Sequence, residues 1–462
     1  MSPLDECQPL PAAGVSLQGM HGSVPVPPLS AGLIRHARAF LGPAVLISVG
    51  YMDPGNWGTD LQAGAQFRYG LLWVVVLSSL MAVVLQVLAT RLGIATGRDL
   101  AQACRDWYPR WTRLPNWLMA EIAIGACDLA EVLGSAVALN LLFRIPIVWA
   151  VLITGADVLL LLGLQRLGVR WIEALVGVLV ATIAGCYALE LFVLPPTTPN
   201  LAEMARALVH PSLGQPGMAT VAIGIIGATV MPHNLYLHSA LVQSRVLHRD
   251  PPSVRRALRW NALDSVVALS AALLVNAAIL VLAALVFNGR AGATVEGVHY
   301  VFDAGTDWIR VAFLTLAPLI GAAAASLLFA VALLASGQSS TITGTLAGQV
   351  VMEGFLRWRV APWLRRIITR GLAIAPAVLL IALRGSGSVN DLLVLSQVVL
   401  ALQLPFAMFP LLHFVSRRKF VGQWRIGPAM MVAGWGTAVL ITAMDLYGLP
   451  EALGDAWRVV AG

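Results

Sequence analysis

Two short runs hold the residues best suited to chemistry. The first is Gly50-Tyr51-Met52-Asp53-Pro54-Gly55-Asn56 and the second is Ala228-Thr229-Val230-Met231-Pro232-His233-Asn234. In each, a proline follows a long apolar stretch, and an asparagine follows two positions later. Proline removes a backbone donor and pushes the preceding residue out of the helical region. A helix entering either run is therefore expected to unwind at Asp53 or at Met231. The carbonyls that close each first half-helix, around Gly50 and Ala228, then lose their partners and carry the negative end of the helix dipole. Two such ends facing each other favour a bound cation. Asp53 adds a formal charge, Asn56 an amide oxygen and Met231 a thioether. Oxygen donors with one soft sulfur suit Mn²⁺, Fe²⁺, Co²⁺ or Cd²⁺ better than Ca²⁺ or Mg²⁺, which prefer all-oxygen shells. A plainer role stays open for each: Asp53 as partner of an arginine, Asn56 as a helix cap, Met231 as core packing.

Proton chemistry has its own candidates. His233 lies in the second run, and its imidazole titrates near neutrality unless its surroundings move it, which suits a proton acceptor or gate. His238 follows five positions later. Either histidine also fits as a structural imidazole. A third stretch, Ala120 to Glu131, carries Glu121, Asp128 and Glu131. Spacings of seven and three place these acids on one helical face. Three acids on one face of a membrane helix must line water, share protons or pair with arginine. A proton route and a structural ion-pair network are both open, the latter with Arg365 or Arg366 as partner. Gln397 and Gln403 are buried amides, of which one is expected to reach a cation or both to serve structure. The small and hydroxyl residues from Gly337 to Gly344 are expected to pack helices closely.

The elements that must position these groups follow from composition. The chain has 462 residues, 58% hydrophobic and 11% charged, with a mean hydropathy of +0.80. Soluble domains average about 45–50% apolar and about 25% charged. The excess falls in runs about 20 residues long, the length that crosses a bilayer. Eleven spans are expected, with cores at 40–67, 71–93, 117–142, 146–164, 171–194, 218–247, 261–287, 311–338, 362–383, 391–415 and 428–448. The two proline runs fall in spans 1 and 6. Five spans separate them, so the second copy of the repeat is inverted across the membrane. Matching broken helices in inverted halves point to a transporter's binding site.

Orientation follows from the basic residues. Groups such as Arg91, Arg98, Arg105, Arg110 and Arg113, or Arg417, Arg418, Lys419 and Arg425, recur in alternate loops. With the N-terminus in the cytoplasm, every cytoplasmic segment carries more Arg and Lys than its neighbours, as the positive-inside rule requires. The C-terminus then lies outside. The net charge of +7 thus reports topology, and no basic stripe indicates nucleic acid. The four cysteines, Cys7, Cys104, Cys127 and Cys186, have no metal-site or disulfide spacing. The first thirty residues are proline-rich, lack the pattern of a signal peptide and are expected to form a disordered cytoplasmic tail.

At Asp53-Pro54-Gly55-Asn56 and Met231-Pro232-His233-Asn234 the sequence resembles the Nramp family of divalent metal transporters. Gly42-Pro43-Ala44, Gly227-Ala228-Thr229-Val230, the span 3 acids, the Gly337–Gln349 stretch and Ser396-Gln397 extend the resemblance. It implies an all-α integral membrane protein with a LeuT-type fold: a tail at 1–36, inverted five-helix repeats at 37–195 and 196–416, and an eleventh helix at 417–462. It implies proton-coupled uptake of Mn²⁺ or Fe²⁺ across the cell's inner, plasma membrane. Asp53, Asn56, Met231 and the carbonyls of Gly50 and Ala228 are the ligands it implies, with Gln397 approaching the metal. His233, Glu121, Asp128, Glu131, His238 and Arg366 take the proton-pathway and gating positions. No cofactor, enzyme activity or obligatory protein partner is expected; metal ion, protons and lipid are. The alternative on the same fold is a sodium-coupled carrier of amino acids, for which Asp53 would repel the substrate carboxylate. An intramembrane hydrolase lacks a matching catalytic motif.

Overall fold

The computed structural model describes residues 15–156 except 29, 168–193, 198–320 except 296 and 303–305, 322, 324–358, 388–461 and a few positions between 364 and 379. Long apolar helices dominate, because in hydrocarbon a helix satisfies its own backbone groups. Span 2 is Leu72–Thr96, span 3 Arg113–Phe143, span 5 Val169–Phe192, span 7 Pro251–Val286, span 8 Ala324–Leu356, span 10 Ser388–Ser416 and span 11 Pro428–Ala461. Among the described residues, eight helices are long and apolar enough to cross a membrane, with span 6 as one of them; a bent pair, Leu33–Phe40 and Pro43–Met52, raises this to nine. That pair begins span 1. The other two expected spans, 146–164 and 362–383, fall wholly or partly outside the described residues. Of span 4, Ile147–Ala156 is helical.

Both proline runs interrupt their helices. In span 1, helix Pro43–Ser48 tightens into a 3-10 turn at Val49–Met52, and Asp53 is extended (φ −70°, ψ 166°) before helix Pro54–Phe67. In span 6, helix Met218–Thr229 ends at an extended Val230 and Met231, and helix Pro232–Leu241 follows. Each proline takes the first turn of its second half-helix, where its missing donor costs nothing.

Span 8 packs along spans 3 and 5, span 7 packs along the second half of span 1 and along span 2, and span 10 bridges spans 3 and 11. Close approach depends on glycine in places. A Cβ on Gly64 would lie 2.1 Å from the Leu280 carbonyl of span 7. The bend of 43° at the start of span 1 turns on Gly42, whose φ of 137° favours glycine. Asp264 on span 7 accepts from the Gly42 and Ala44 amides at 3.4 and 2.9 Å and so caps the helix that begins at Pro43. The outer surface is apolar: Leu274, Val432 and Phe192 are more than 70% exposed, as lipid-facing positions are.

The segment expected to be a disordered tail is ordered from residue 15. Val15, Leu17, Met20 and Val24 are buried, and Val24–Pro25 pairs in parallel with Arg245–Val246 after span 6. The helix ends supply an apolar surface that composition alone does not reveal. A hairpin, Gly292–Val295 with Val298–Val301, and a short apolar helix, Trp308–Ile320, join spans 7 and 8, so the span expected at 311–338 covers parts of two helices and span 8 itself is Ala324–Leu356.

Candidate metal-transport site

Asp53 is fully buried and caps its helix: Oδ1 accepts the Asn56 backbone N–H at 2.9 Å. The Asn56 side-chain NH₂ donates to the same Oδ1 at 2.7 Å and to the Ala228 carbonyl at 3.0 Å. One amide thus ties the break in span 1 to the end of the first half-helix of span 6. The Thr229 hydroxyl donates to the Ile225 carbonyl at 2.6 Å and lies 3.3 Å from Asn56 Oδ1. The other carboxylate oxygen, Asp53 Oδ2, has no hydrogen-bond partner although it is buried. A buried carboxylate oxygen in that condition is costly unless a proton or cation meets it.

The remaining expected ligands lie on the elements around this junction. Met231 is fully buried among Ala123 and Cys127 of span 3 and Leu400 of span 10. Gln397 of span 10 lies against Gly55, where a Cβ would come 2.1 Å from Nε2. Its Nε2 donates to Ser396 Oγ at 3.1 Å, and its Oε1 has no hydrogen-bond partner. Gly50 lies against the side chain of Asn234, whose Nδ2 would be 2.4 Å from a Cβ there. Both polar side-chain atoms of Asn234 are buried without hydrogen bonds. Among the described residues no three His, Cys, Asp or Glu side chains are grouped to chelate a metal. An ion at this junction would be held by one carboxylate and neutral donors, a weaker set than a structural site uses.

The acids of span 3 divide. Asp128 and Glu131 are fully buried, whereas Glu121 is half-buried. Asp128 and Glu131 both face Gly344 of span 8, where a Cβ would lie 3.0 Å from Glu131 Oε1 and 3.4 Å from Asp128 Oδ1. Cys127 Sγ lies 3.3 Å from Glu131 Oε1 and 3.6 Å from His233 Nε2, so sulfur connects the span 6 histidine to the span 3 acid. His238 instead bonds through Nδ1 to Gln86 Oε1 of span 2 at 2.9 Å, and Gln86 Nε2 donates to the Tyr51 hydroxyl at 2.6 Å. Arg365 and Arg366 lie outside the described residues. The arginine seen beside the acids is Arg370: its Nη2 is 4.0 Å from Glu131 Oε2 and donates to Thr341 Oγ1 at 2.7 Å.

Sequence reasoning passed over Arg370, Thr229, Gln86 and Tyr51 as site residues. Asn234 did carry a signal, since it stands where Asn56 stands in the other half. The others are brought in by contacts between distant segments.

The sequence model of the family described as natural resistance-associated macrophage protein-like matches residues 44–451. The chain belongs to the Nramp family. Among curated Nramp relatives, a divalent metal cation transporter MntH of Xanthomonas campestris pv. campestris is 50% identical over 451 residues, 97% of this chain and 98% of that protein. Another MntH, from Mesorhizobium japonicum, is 48% identical over 439 residues, 95% of this chain and 94% of that one. The solved structure of an Eremococcus coleocola manganese transporter, bound to an aromatic bis-isothiourea compound, superposes with a TM-score of 0.85 at 40% identity, covering 95% of this chain and 91% of that one. The fold is the LeuT-type membrane fold of Nramp transporters.

Proposed function

We propose that this Nramp protein imports divalent transition-metal ions, Mn²⁺ or Fe²⁺ with Co²⁺ and Cd²⁺ as further cargo, together with protons, by alternating access. Relatives named divalent metal cation transporters and a manganese transporter of the same fold support the reading. The observation that carries it is Asp53 Oδ2, buried without a partner where two broken helices meet.

The cargo sheds most of its water and takes Asp53, Asn56, Met231 and the carbonyls of Ala228 and Gly50 in exchange, with Gln397 closing from span 10. The Asn56 NH₂ bridges Asp53 Oδ1 and the Ala228 carbonyl. A cation entering between those two acceptors replaces that donor, and a turn of the amide brings Oδ1 to the ion. Asp53 ionises fully as the metal binds. The released proton passes toward Asp128 and Glu131, with His233 beside them through Cys127, and Arg370 balances the charge left there; Glu121, His238 and Arg366 serve the same pathway and its gates. Spans 1 and 6 then rock against the scaffold of spans 3 and 8 to open the inside. The N-terminus is cytoplasmic, the C-terminus is outside, and the membrane is the plasma membrane. A sodium-coupled amino-acid carrier is disfavoured because the Asp53 carboxylate repels the substrate's own.

Purified protein in proteoliposomes tests this directly. Mn²⁺ is expected to enter and to acidify the lumen, whereas Ca²⁺ and Mg²⁺ enter far more slowly. Equal uptake of Ca²⁺ and Mn²⁺ would overturn the metal reading, and Mn²⁺ entry without acidification would overturn the proton coupling alone.

A further inference from the structure

Residues 15–25 precede the part of the chain that matches the family, 44–451, and take no part in the site above. They cross the end of the molecule where spans 2, 6 and 8 finish. Leu17 N–H donates to Glu353 Oε2, near the end of span 8, at 2.9 Å. Ser16 Oγ accepts from Gln102 Nε2 at 3.1 Å, on the short helix Leu100–Trp107 that links spans 2 and 3. Gly22 N–H donates to the Gln243 carbonyl at 3.0 Å, just past span 6. The parallel pairing of Val24 with Arg245 and Pro25 with Val246 adds a second backbone attachment there.

Side chains reinforce these bonds. Leu17, Met20 and Val24 are 4, 7 and 5% exposed and join the main hydrophobic core. Leu17 has a φ of 53°, a conformation that leucine adopts only where its surroundings hold it. The segment therefore occupies a specific seat.

The seat has two sides. Gln243, Arg245 and Val246 continue the second half of span 6, which must move for the inside to open. Glu353 and Gln102 belong to span 8 and the helix leading into span 3, the scaffold. A segment bonded to both sides resists their separation. We propose that residues 15–25 form a cytoplasmic latch, which holds span 6 to the scaffold and must release before the cargo leaves inward. The proposal rests on the alternating-access reading for its role in transport, but the latch itself is testable without metal.

The probe is Val242→Cys, a position 1% exposed at the inner end of span 6, in a protein whose Cys7, Cys104 and Cys186 are replaced by alanine and whose Cys127, 1% exposed beside Glu131 and His233, is kept. Labelling by a membrane-impermeant maleimide added from the cytoplasmic side is measured with no metal present. Leu17→Glu with Met20→Glu, or deletion of residues 1–28, is expected to raise the labelling rate more than threefold. A smaller change in both variants overturns the latch. The converse arm keeps the latch closed: Pro25→Cys with Val246→Cys, oxidised in the same background, which retains the buried Cys127. Mn²⁺ uptake is expected to fall at least fivefold and to return on reduction; undiminished uptake in the cross-linked protein overturns the proposal. Absence of Mn²⁺ uptake in the parent would refute the transport reading and leave the labelling result to decide the latch.

Discussion

Asp53 and Met231 stand at equivalent places in the two halves, and the chemistry of each leads to a different expected loss. Among the described residues Asp53 supplies the formal charge at the junction, with one oxygen committed to Asn56 and one left without a partner. Asp53→Asn is expected to weaken Mn²⁺ binding by more than about 100-fold, roughly 2.7 kcal/mol, measured by calorimetry in detergent. Met231 contributes polarisability without charge. Met231→Ala should cost Mn²⁺ only about tenfold, or about 1.4 kcal/mol, and narrow the preference for Mn²⁺ over Ca²⁺, because a hard ion gains little from sulfur. Gly344 makes a further prediction. Its missing Cβ leaves room for the Glu131 and Asp128 carboxylates, so Gly344→Val should displace them. Mn²⁺ binding is then retained while the proton flux that accompanies uptake falls several-fold, read from the internal pH of proteoliposomes.

At the scale of elements, backbone proximity and buried charge set stability. Gly64 lets span 1 touch the Leu280 carbonyl of span 7, and a Cβ there would also meet Ala283 and Ala284. Backbone cannot give way as a flexible side chain can. Gly64→Ala is expected to destabilise by about 1–3 kcal/mol and to lower the thermal midpoint in detergent by several degrees. Asp99 caps the helix Leu100–Trp107 in a reciprocal box with Gln102. Burial pushes its carboxyl up to about 6, against the opposing pull of the Ser16 hydroxyl, the Gln102 amide and Arg105. A carboxyl raised in the folded state holds its proton there more tightly than in the unfolded chain. Its contribution to stability is therefore complete below the ordinary aspartate range and is lost as pH rises through about 6. The unfolding free energy should fall across that window by at most about 1.4 kcal/mol per pH unit, and the thermal midpoint with it. Asp99→Asn keeps the cap and should flatten it.

For the whole molecule, the proposed transport carries charge from one side of the membrane to the other, and the membrane potential acts on whatever charge crosses. An inside-negative potential favours entry by about 2.3 kcal/mol per charge per 100 mV. Mn²⁺ uptake into potassium-loaded vesicles made inside-negative with valinomycin should therefore rise above that in vesicles held at zero potential. An unchanged rate would mean that the slow step moves no net charge. The ion pairs at the start of span 1 also act at this scale. Arg245 bonds to Glu173 at 2.9 Å and to the Ala39 carbonyl at 3.0 Å, and Arg170 bonds to Glu173 at 2.9 Å. They pin the start of span 1 to spans 5 and 6, beside the residues that the latch holds.

Local features determined the breaks, the apolar helices and the membrane topology expected of this chain. A proline dictates its own neighbour's conformation, an apolar run needs no partner to be recognised, and arginines in loops obey a rule of counting. The family motifs at Asp53 and Met231 were legible for the same reason. Only the tertiary structure decided which distant groups meet: Arg370 beside Glu131, His238 with Gln86 and Tyr51, and Asn56 with the Ala228 carbonyl. It also decided that the proline-rich start folds down from residue 15. Its few apolar side chains are too sparse to make structure alone, and they become ordered because helix ends from three remote segments form the surface that buries them.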